Sequence, residues 1–98
     1  VKNFPNAFRK TDLKALLDDH GVDQVTVIGA MSHMCIDATT RAACDFGYKT
    51  TVVHDACATR DVEFGGQTVP AAQVHAAFMS ALAFAYASVL PTNDYLAG

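Results

Sequence analysis

The chain has 98 residues, 51% of them hydrophobic and 17% charged, so it is built to bury a core and is not a disordered segment. Its net charge of −3 argues against a nucleic-acid or anionic-membrane surface, which calls for a basic stripe. No apolar run approaches the roughly 20 residues that span a bilayer, and an odd set of three cysteines without a leader-like segment points to a reducing, cytoplasmic setting.

The first helix is expected from Asp12 to His20. Thr11 suits its N-cap, and Leu13, Leu16 and Leu17 recur at helical spacing as an apolar stripe. Gly21 suits its C-terminal stop. The next run, Val25 to Ala30, is β-branched and apolar on both faces, which predicts a buried parallel strand. A second helix follows from His33 to Phe46, with Ser32 as its N-cap and Ile36, Thr40, Ala43 and Cys44 on its inner face. Thr50 to Val53 predicts another strand. A long connection then runs from Asp55 to Val69, a length often associated with function. The third helix spans Pro70 to about Tyr86, with Val74, Phe78, Ala81, Leu82 and Ala85 inward, and Ser88 to Leu90 closes with a short strand. Alternating helices and strands predict an α/β domain with a parallel sheet and right-handed crossovers. Ligands then belong beyond the carboxyl ends of the strands, near Gly29–Cys35, Asp55–Asp61 and Lys2.

Cys35 is the leading candidate for chemistry. With Ser32 as N-cap it falls at the third helical position, where the helix dipole and backbone N–H groups favour a thiolate and a developing oxyanion. The competing reading is a small buried hydrophobe. Cys44 reads as core, and Cys57 as structural or as lining a site. His33 stands two residues before Cys35, a spacing that does not bring two helical side chains face to face, so it reads as a rim or packing residue. His54, Asp55, Cys57 and His75 match no zinc spacing. No Gly-x-Gly-x-x-Gly, Walker loop or Gly-x-Ser-x-Gly elbow is present, so dinucleotide binding has no support.

The segment from Gly29 through Ala30-Met31-Ser32-His33-Met34-Cys35 to Thr39, Thr40 and Ala43 resembles the nucleophile segment of the isochorismatase-like cysteine hydrolases. Gly47-Tyr48, the strand ending at Asp55-Ala56, Lys2 with Asn6-Ala7-Phe8, and Thr11-Asp12-Leu13 extend the resemblance over nearly the whole chain. It implies a three-layer α/β/α sandwich with a parallel sheet of Rossmann-like topology. It also implies an Asp–Lys–Cys triad in which Cys35 is the nucleophile and Lys2 the lysine. The triad's Asp and the metal ligands of nicotinamidase members belong to an upstream half that nothing here matches. Residues 1–98 would thus be the C-terminal portion of a single hydrolase domain, without metal or cofactor of its own, its N-terminal strands supplied by a companion chain or segment.

The resemblance further implies a cis peptide at Ala30–Met31 and an oxyanion hole from the N–H groups of Met31 and Cys35. Phe8 reads equally as a wall of the substrate pocket or as core packing, since aromatic residues commonly line small-molecule sites, and His33 stands at the pocket's rim or packs. The implied activity is amidase-like hydrolysis of a small-molecule amide or related C–N bond through a thioester, in an enzyme that assembles as a dimer or tetramer. Two other readings stand beside it. One is a vinyl-ether hydrolase of the isochorismatase type, which does not use this cysteine. The other is a non-catalytic α/β binding or assembly module.

Overall fold

A computed structural model describes residues 4–97; Lys2 lies outside the described residues. The order is α1 (Leu13–Asp19), β1 (Gln24–Ala30), a π-helical turn (Ser32–Ile36), α2 (Asp37–Asp45), β2 (Lys49–Ala58), β3 (Val62–Phe64), β4 (Gln67–Val69), α3 (Ala71–Ala85), β5 (Ser88–Leu90) and α4 (Thr92–Ala97). β1, β2 and β5 form a parallel sheet in the order β1-β2-β5. The fold class is therefore α/β with a parallel sheet, as the alternation of elements predicts.

The strand periodicity of two decides what each face meets. Val25 and Val27 turn to the side of the sheet where α2 and α3 pack; Val27 joins Ile36, Val52, Met79 and Leu82 in one buried cluster. Thr26 and Ile28 turn to the other side, where the Thr26 hydroxyl lies 3.2 Å from the Tyr95 hydroxyl of α4. Helices thus lie on both faces. The second face is only thinly covered, and Ile28 remains 61% exposed. Val25 to Ala30 reads as an interior strand from its two apolar faces, yet among the described residues β1 pairs only with β2 and forms the sheet edge. A second cluster, Phe8, Ala42, Ala43 and Tyr48, packs with Leu13, Leu17 and Val25 beside α1. The Phe8 ring meets Phe46 edge-on at 5.2 Å and stacks on Tyr48 at 6.1 Å.

Several local expectations are corrected. α1 begins at Leu13 after Asp12, and Thr11 directs its hydroxyl to the Ala7 carbonyl at 2.6 Å. The connection from Asp55 to Val69 is not irregular: β2 continues to Ala58, and β3 and β4 form an antiparallel hairpin. Its turn is Gly65-Gly66, both at positive φ, which is the backbone a two-residue hairpin turn requires. In α3 the inward residue is Met79 in place of the expected Ala81 and Ala85, which are exposed. α4 was not expected; its first turn is tied by Asp55 Oδ1, which accepts from Thr92 N–H at 2.8 Å and from its hydroxyl at 2.6 Å. Among the described residues no helix is long and apolar enough to cross a membrane.

Candidate active site

The site lies where a parallel sheet offers one, beyond the carboxyl end of β1. Gly29 adopts φ +129°, and the Ala30–Met31 peptide that follows is cis. Met31 itself is extended, with φ −101° and ψ 147°. The chain then tightens into the π-helical turn, in which the Met34 and Ile36 N–H groups both donate to the Met31 carbonyl at 3.1 Å.

This turn corrects the expected capping. Ser32 does not cap a helix; Met31 is the cap residue, without a side-chain capping bond. Ser32 is fully buried, and its hydroxyl has other partners. It lies 2.7 Å from His75 Nδ1 on α3 and donates to the Ala58 carbonyl of β2 at 3.4 Å. A buried hydroxyl needs partners, and here they come from two other elements, which fixes the turn against both. Cys35 consequently stands fourth in a π turn ahead of α2, not at the third position of an α-helix.

Cys35 is half-buried and lines a pocket of about 230 Å³ with Ala7, Gly29, Ala30, Ile36 and Thr39. One turn beyond Cys35, Thr39 accepts a hydrogen bond from Ala7 N–H at 2.9 Å and donates to the Pro5 carbonyl at 3.2 Å. The N-terminal loop is thereby held over the nucleophile. The backbone on either side of the cis bond, Ala30 and Met31, belongs to the same strand end as the pocket wall. A larger apolar pocket of about 400 Å³ lies across the sheet between β1 and α4, lined by Thr26, Ile28, Val53, Tyr95 and Leu96 among others. It contains no thiol, imidazole or carboxylate, so the smaller pocket is the one equipped for chemistry.

Of the residues expected at the site, Cys35 and the Gly29–Met31 backbone come together. Phe8 does not join them: it is 8% exposed and lies in the buried cluster with Tyr48, its ring also meeting the exposed Phe46 edge-on. His33 also turns elsewhere. Its Nδ1 lies 2.6 Å from the Thr59 hydroxyl, and its ring packs 5.9 Å from Phe78, so it braces the turn against the end of β2 and α3. Lys2 lies outside the described residues. Cys57 packs against the core cluster and donates to the Val53 carbonyl at 3.4 Å. Burial pushes its thiol up, partly offset by the Gly29 N–H, so its thiolate is disfavoured. The His54 and His75 rings lie 6.4 Å apart, and no third ligating side chain completes a metal set among the described residues.

Two contributors went unpredicted, the Ser32–His75 contact and the Thr39 link. Thr39 carried a usable signal: it follows Cys35 by four residues, the spacing that stacks side chains on one helical face. Ser32–His75 spans 43 residues and has no local signature.

Residues 1–92 match the family model of the isochorismatase domain. An uncharacterized isochorismatase family protein of Bacillus subtilis is 50% identical over 98% of this chain and 53% of its own length. A streptothricin hydrolase of Streptomyces noursei is 42% identical over 72% of this chain and 27% of its own. The nicotinamidase of Saccharomyces cerevisiae is 42% identical over 49% of this chain and 22% of its own. Among solved structures, one from Oleispira antarctica assigned to the isochorismatase hydrolases superposes with a TM-score of 0.95 at 62% identity, covering 99% of this chain and 51% of that one. A cysteine hydrolase from Pseudomonas syringae gives 0.93 at 29% identity over 98% and 46%. The match thus spans about half the length of the Bacillus subtilis and Oleispira antarctica proteins and about a quarter of the length of the streptothricin hydrolase and the nicotinamidase.

Proposed function

This chain belongs to the isochorismatase family, and from that membership we propose that it carries the nucleophile of a cysteine-dependent hydrolase acting on a small-molecule amide or related C–N bond. The observation that carries the reading is Cys35, seated in a pocket at the carboxyl end of β1 beside the Gly29–Ala30 backbone. Relatives that are a nicotinamidase and a streptothricin hydrolase, and a structural neighbour that is a cysteine hydrolase, favour amide chemistry over vinyl-ether cleavage.

In this mechanism the Cys35 thiolate adds to the carbonyl carbon, forming a C–S bond and a tetrahedral oxyanion. The Met31 and Cys35 N–H groups receive that oxyanion, as preorganised backbone donors do in acyl transfer. Collapse breaks the C–N bond, and the amine or ammonia leaves with the proton that an aspartate first took from the thiol. Water then adds to the thioester, the C–S bond breaks, and carboxylic acid and thiol are regenerated. The Lys2 ammonium stabilises the thiolate, as a nearby cation does. The aspartate is supplied by the remaining half of the family's domain, carried on a companion chain or segment.

The test is Cys35→Ala in the full-length protein, assayed for ammonia release on a panel of small primary and cyclic amides that includes nicotinamide. Turnover should fall by roughly 10⁴-fold or more, as it does when a covalent nucleophile is removed. Retained amide hydrolysis would overturn the assignment, and retained cleavage of a vinyl ether by the variant would move the protein to isochorismatase-type chemistry.

A further inference from the structure

We propose that Ser32 and His75 are positioning residues that hold the Cys35 turn through a directed relay, from His75 Nδ1–H to Ser32 Oγ and from the Ser32 hydroxyl to the Ala58 carbonyl; their part in the reaction rests on the function proposed above. The direction follows from counting protons. Ser32 is fully buried, so its hydroxyl is served from within the protein. Its partners are His75 Nδ1 at 2.7 Å and the Ala58 carbonyl at 3.4 Å. A hydroxyl has one proton to give, and a carbonyl can only accept. The Ser32 proton therefore goes to Ala58, and the proton in the shorter contact sits on His75 Nδ1. A neutral imidazole carries its proton on either ring nitrogen, and the hydrogen bond it makes decides which.

The relay meets the reacting groups through one peptide. Ser32 follows directly on Met31, whose N–H receives the oxyanion in the mechanism above, and it opens the turn that carries Cys35. Ala58, at the far end of the relay, pairs in register with Ala30, the residue before Met31. His75 stands on α3, so one hydroxyl joins the turn to a helix and a strand at once. The turn has further bonds of its own. Met34 and Ile36 N–H donate to the Met31 carbonyl, and His33 pairs with Thr59. These survive removal of the relay and keep the turn formed, so the consequence is a small displacement of Met31 N–H and Cys35. Displacements of about 1 Å cost up to roughly 10²-fold in rate. An oxyanion donor acts in the transition state, so the loss belongs in kcat and not in KM.

The experiment uses the full-length protein and two readouts. The first is histidine ring-nitrogen NMR at about pH 8, above the ordinary histidine range, with His75→Asn identifying the His75 signals by their disappearance. The parent should show a proton on His75 Nδ1, and Ser32→Ala should move it to Nε2. The second is steady-state kinetics on the amide that the parent hydrolyses best, with circular dichroism showing that each variant is folded at the assay temperature. Ser32→Ala and His75→Leu should each lower kcat by about 10- to 100-fold, with KM within about twofold of the parent. The double variant should match the more impaired single one, because coupled residues are not additive. His75→Asn, whose side-chain amide offers an N–H near the Nδ1 position, should recover most of the kcat lost in His75→Leu.

An unprotonated Nδ1 in the parent, or a His75 signal unchanged by Ser32→Ala, would overturn the relay. Unchanged kcat, full additivity in the double variant, or His75→Asn no better than His75→Leu would overturn the positioning role and leave the hydrolase reading intact. The hydrolase reading itself stands or falls on Cys35→Ala; its failure would take the positioning role with it, while the ring-nitrogen spectrum still decides the relay.

Discussion

Replacing Gly29 by alanine tests whether the backbone or the packing governs the entrance to the site. The glycine has φ +129°, a region L-residues rarely enter. A Cβ built there would meet Ile36 Cδ1 at 3.6 Å, an ordinary van der Waals contact, and nothing closer. The steric contribution is therefore small and the conformational one dominates, at about 1–3 kcal/mol for a residue held in such a conformation. In a domain of 150–250 residues, 1 kcal/mol moves Tm by roughly 2–4 °C, so Gly29→Ala should melt about 2–12 °C lower in the full-length protein. Thermal unfolding followed by circular dichroism, with urea titration alongside, reads the change. The variant should also label more slowly at Cys35, since Gly29 lines the same pocket. Adding Ile36→Val removes the one atom found within 4 Å of that Cβ among the described residues, chain neighbours aside, and should restore nothing. Recovery of stability in that double variant, or a melting point for Gly29→Ala unchanged from the parent, would refute the backbone argument.

Thr39 and Thr40 should respond with opposite sign to the same change. Thr40 Oγ1 is buried without a hydrogen-bond partner among the described residues, so Thr40→Val should raise the urea midpoint by the equivalent of about 1 kcal/mol, whereas Thr39→Val should lower it. Leu82 is fully buried in the sheet-side cluster, and Leu82→Ala should cost about 2–5 kcal/mol in the same titration. Tyr48 donates its hydroxyl to Asp18 Oδ1 at 2.6 Å, and this bond with the neighbouring charge pushes its pKa up to about 12. The folded state then holds the phenolic proton more tightly than the unfolded chain does. Its contribution is complete below about pH 10 and is lost as pH rises through 12; Tyr48→Phe should flatten that alkaline arm of the stability profile. At low pH the sign reverses for Asp18, whose carboxyl is held down by Lys14 and Tyr48: its contribution is lost as pH falls below the carboxylate range. Cys57, with its thiol pushed up by burial, should label more slowly than Cys35 at neutral pH.

Legibility in the sequence followed the range of the forces involved. β1 is readable because Val25 to Ile28 is a continuous β-branched run, a local property. α1 and α2 were recognisable from their apolar stripes, with ends displaced by a few residues. The hairpin was missed although Gly65-Gly66 signals a tight turn, because three-residue strands carry too little alternation to register. α4 is six residues long and takes its cap from Asp55, 37 residues away, so no local window contains its cause. At the site, Cys35 stands out by type and by its place after a glycine-ended strand. The partners of Ser32, His33 and Thr39 are fixed only when β2, α3 and the N-terminal loop converge. Phe8 reads equally as pocket wall or core from its type alone, and the decision for the core comes from Tyr48, Ala42 and Ala43, which converge on it only in the fold.

The ladder between β1 and β2 is interrupted. Val27 faces Val52, and the next registered pair is Gly29 with Cys57, so two steps along β1 match five along β2. The rungs from Gln24 to Val27 are backed by Val52 and Leu82, whereas the rungs at Gly29 and Ala30 stand alone beyond the irregularity. Amide exchange should divide at that point. Amides of the lower ladder should exchange only through global opening, and those at the upper rungs through a smaller, cheaper fluctuation that leaves the core shut. The nucleophile's doorway would then open and close on its own clock, admitting ligand without asking the domain to unfold.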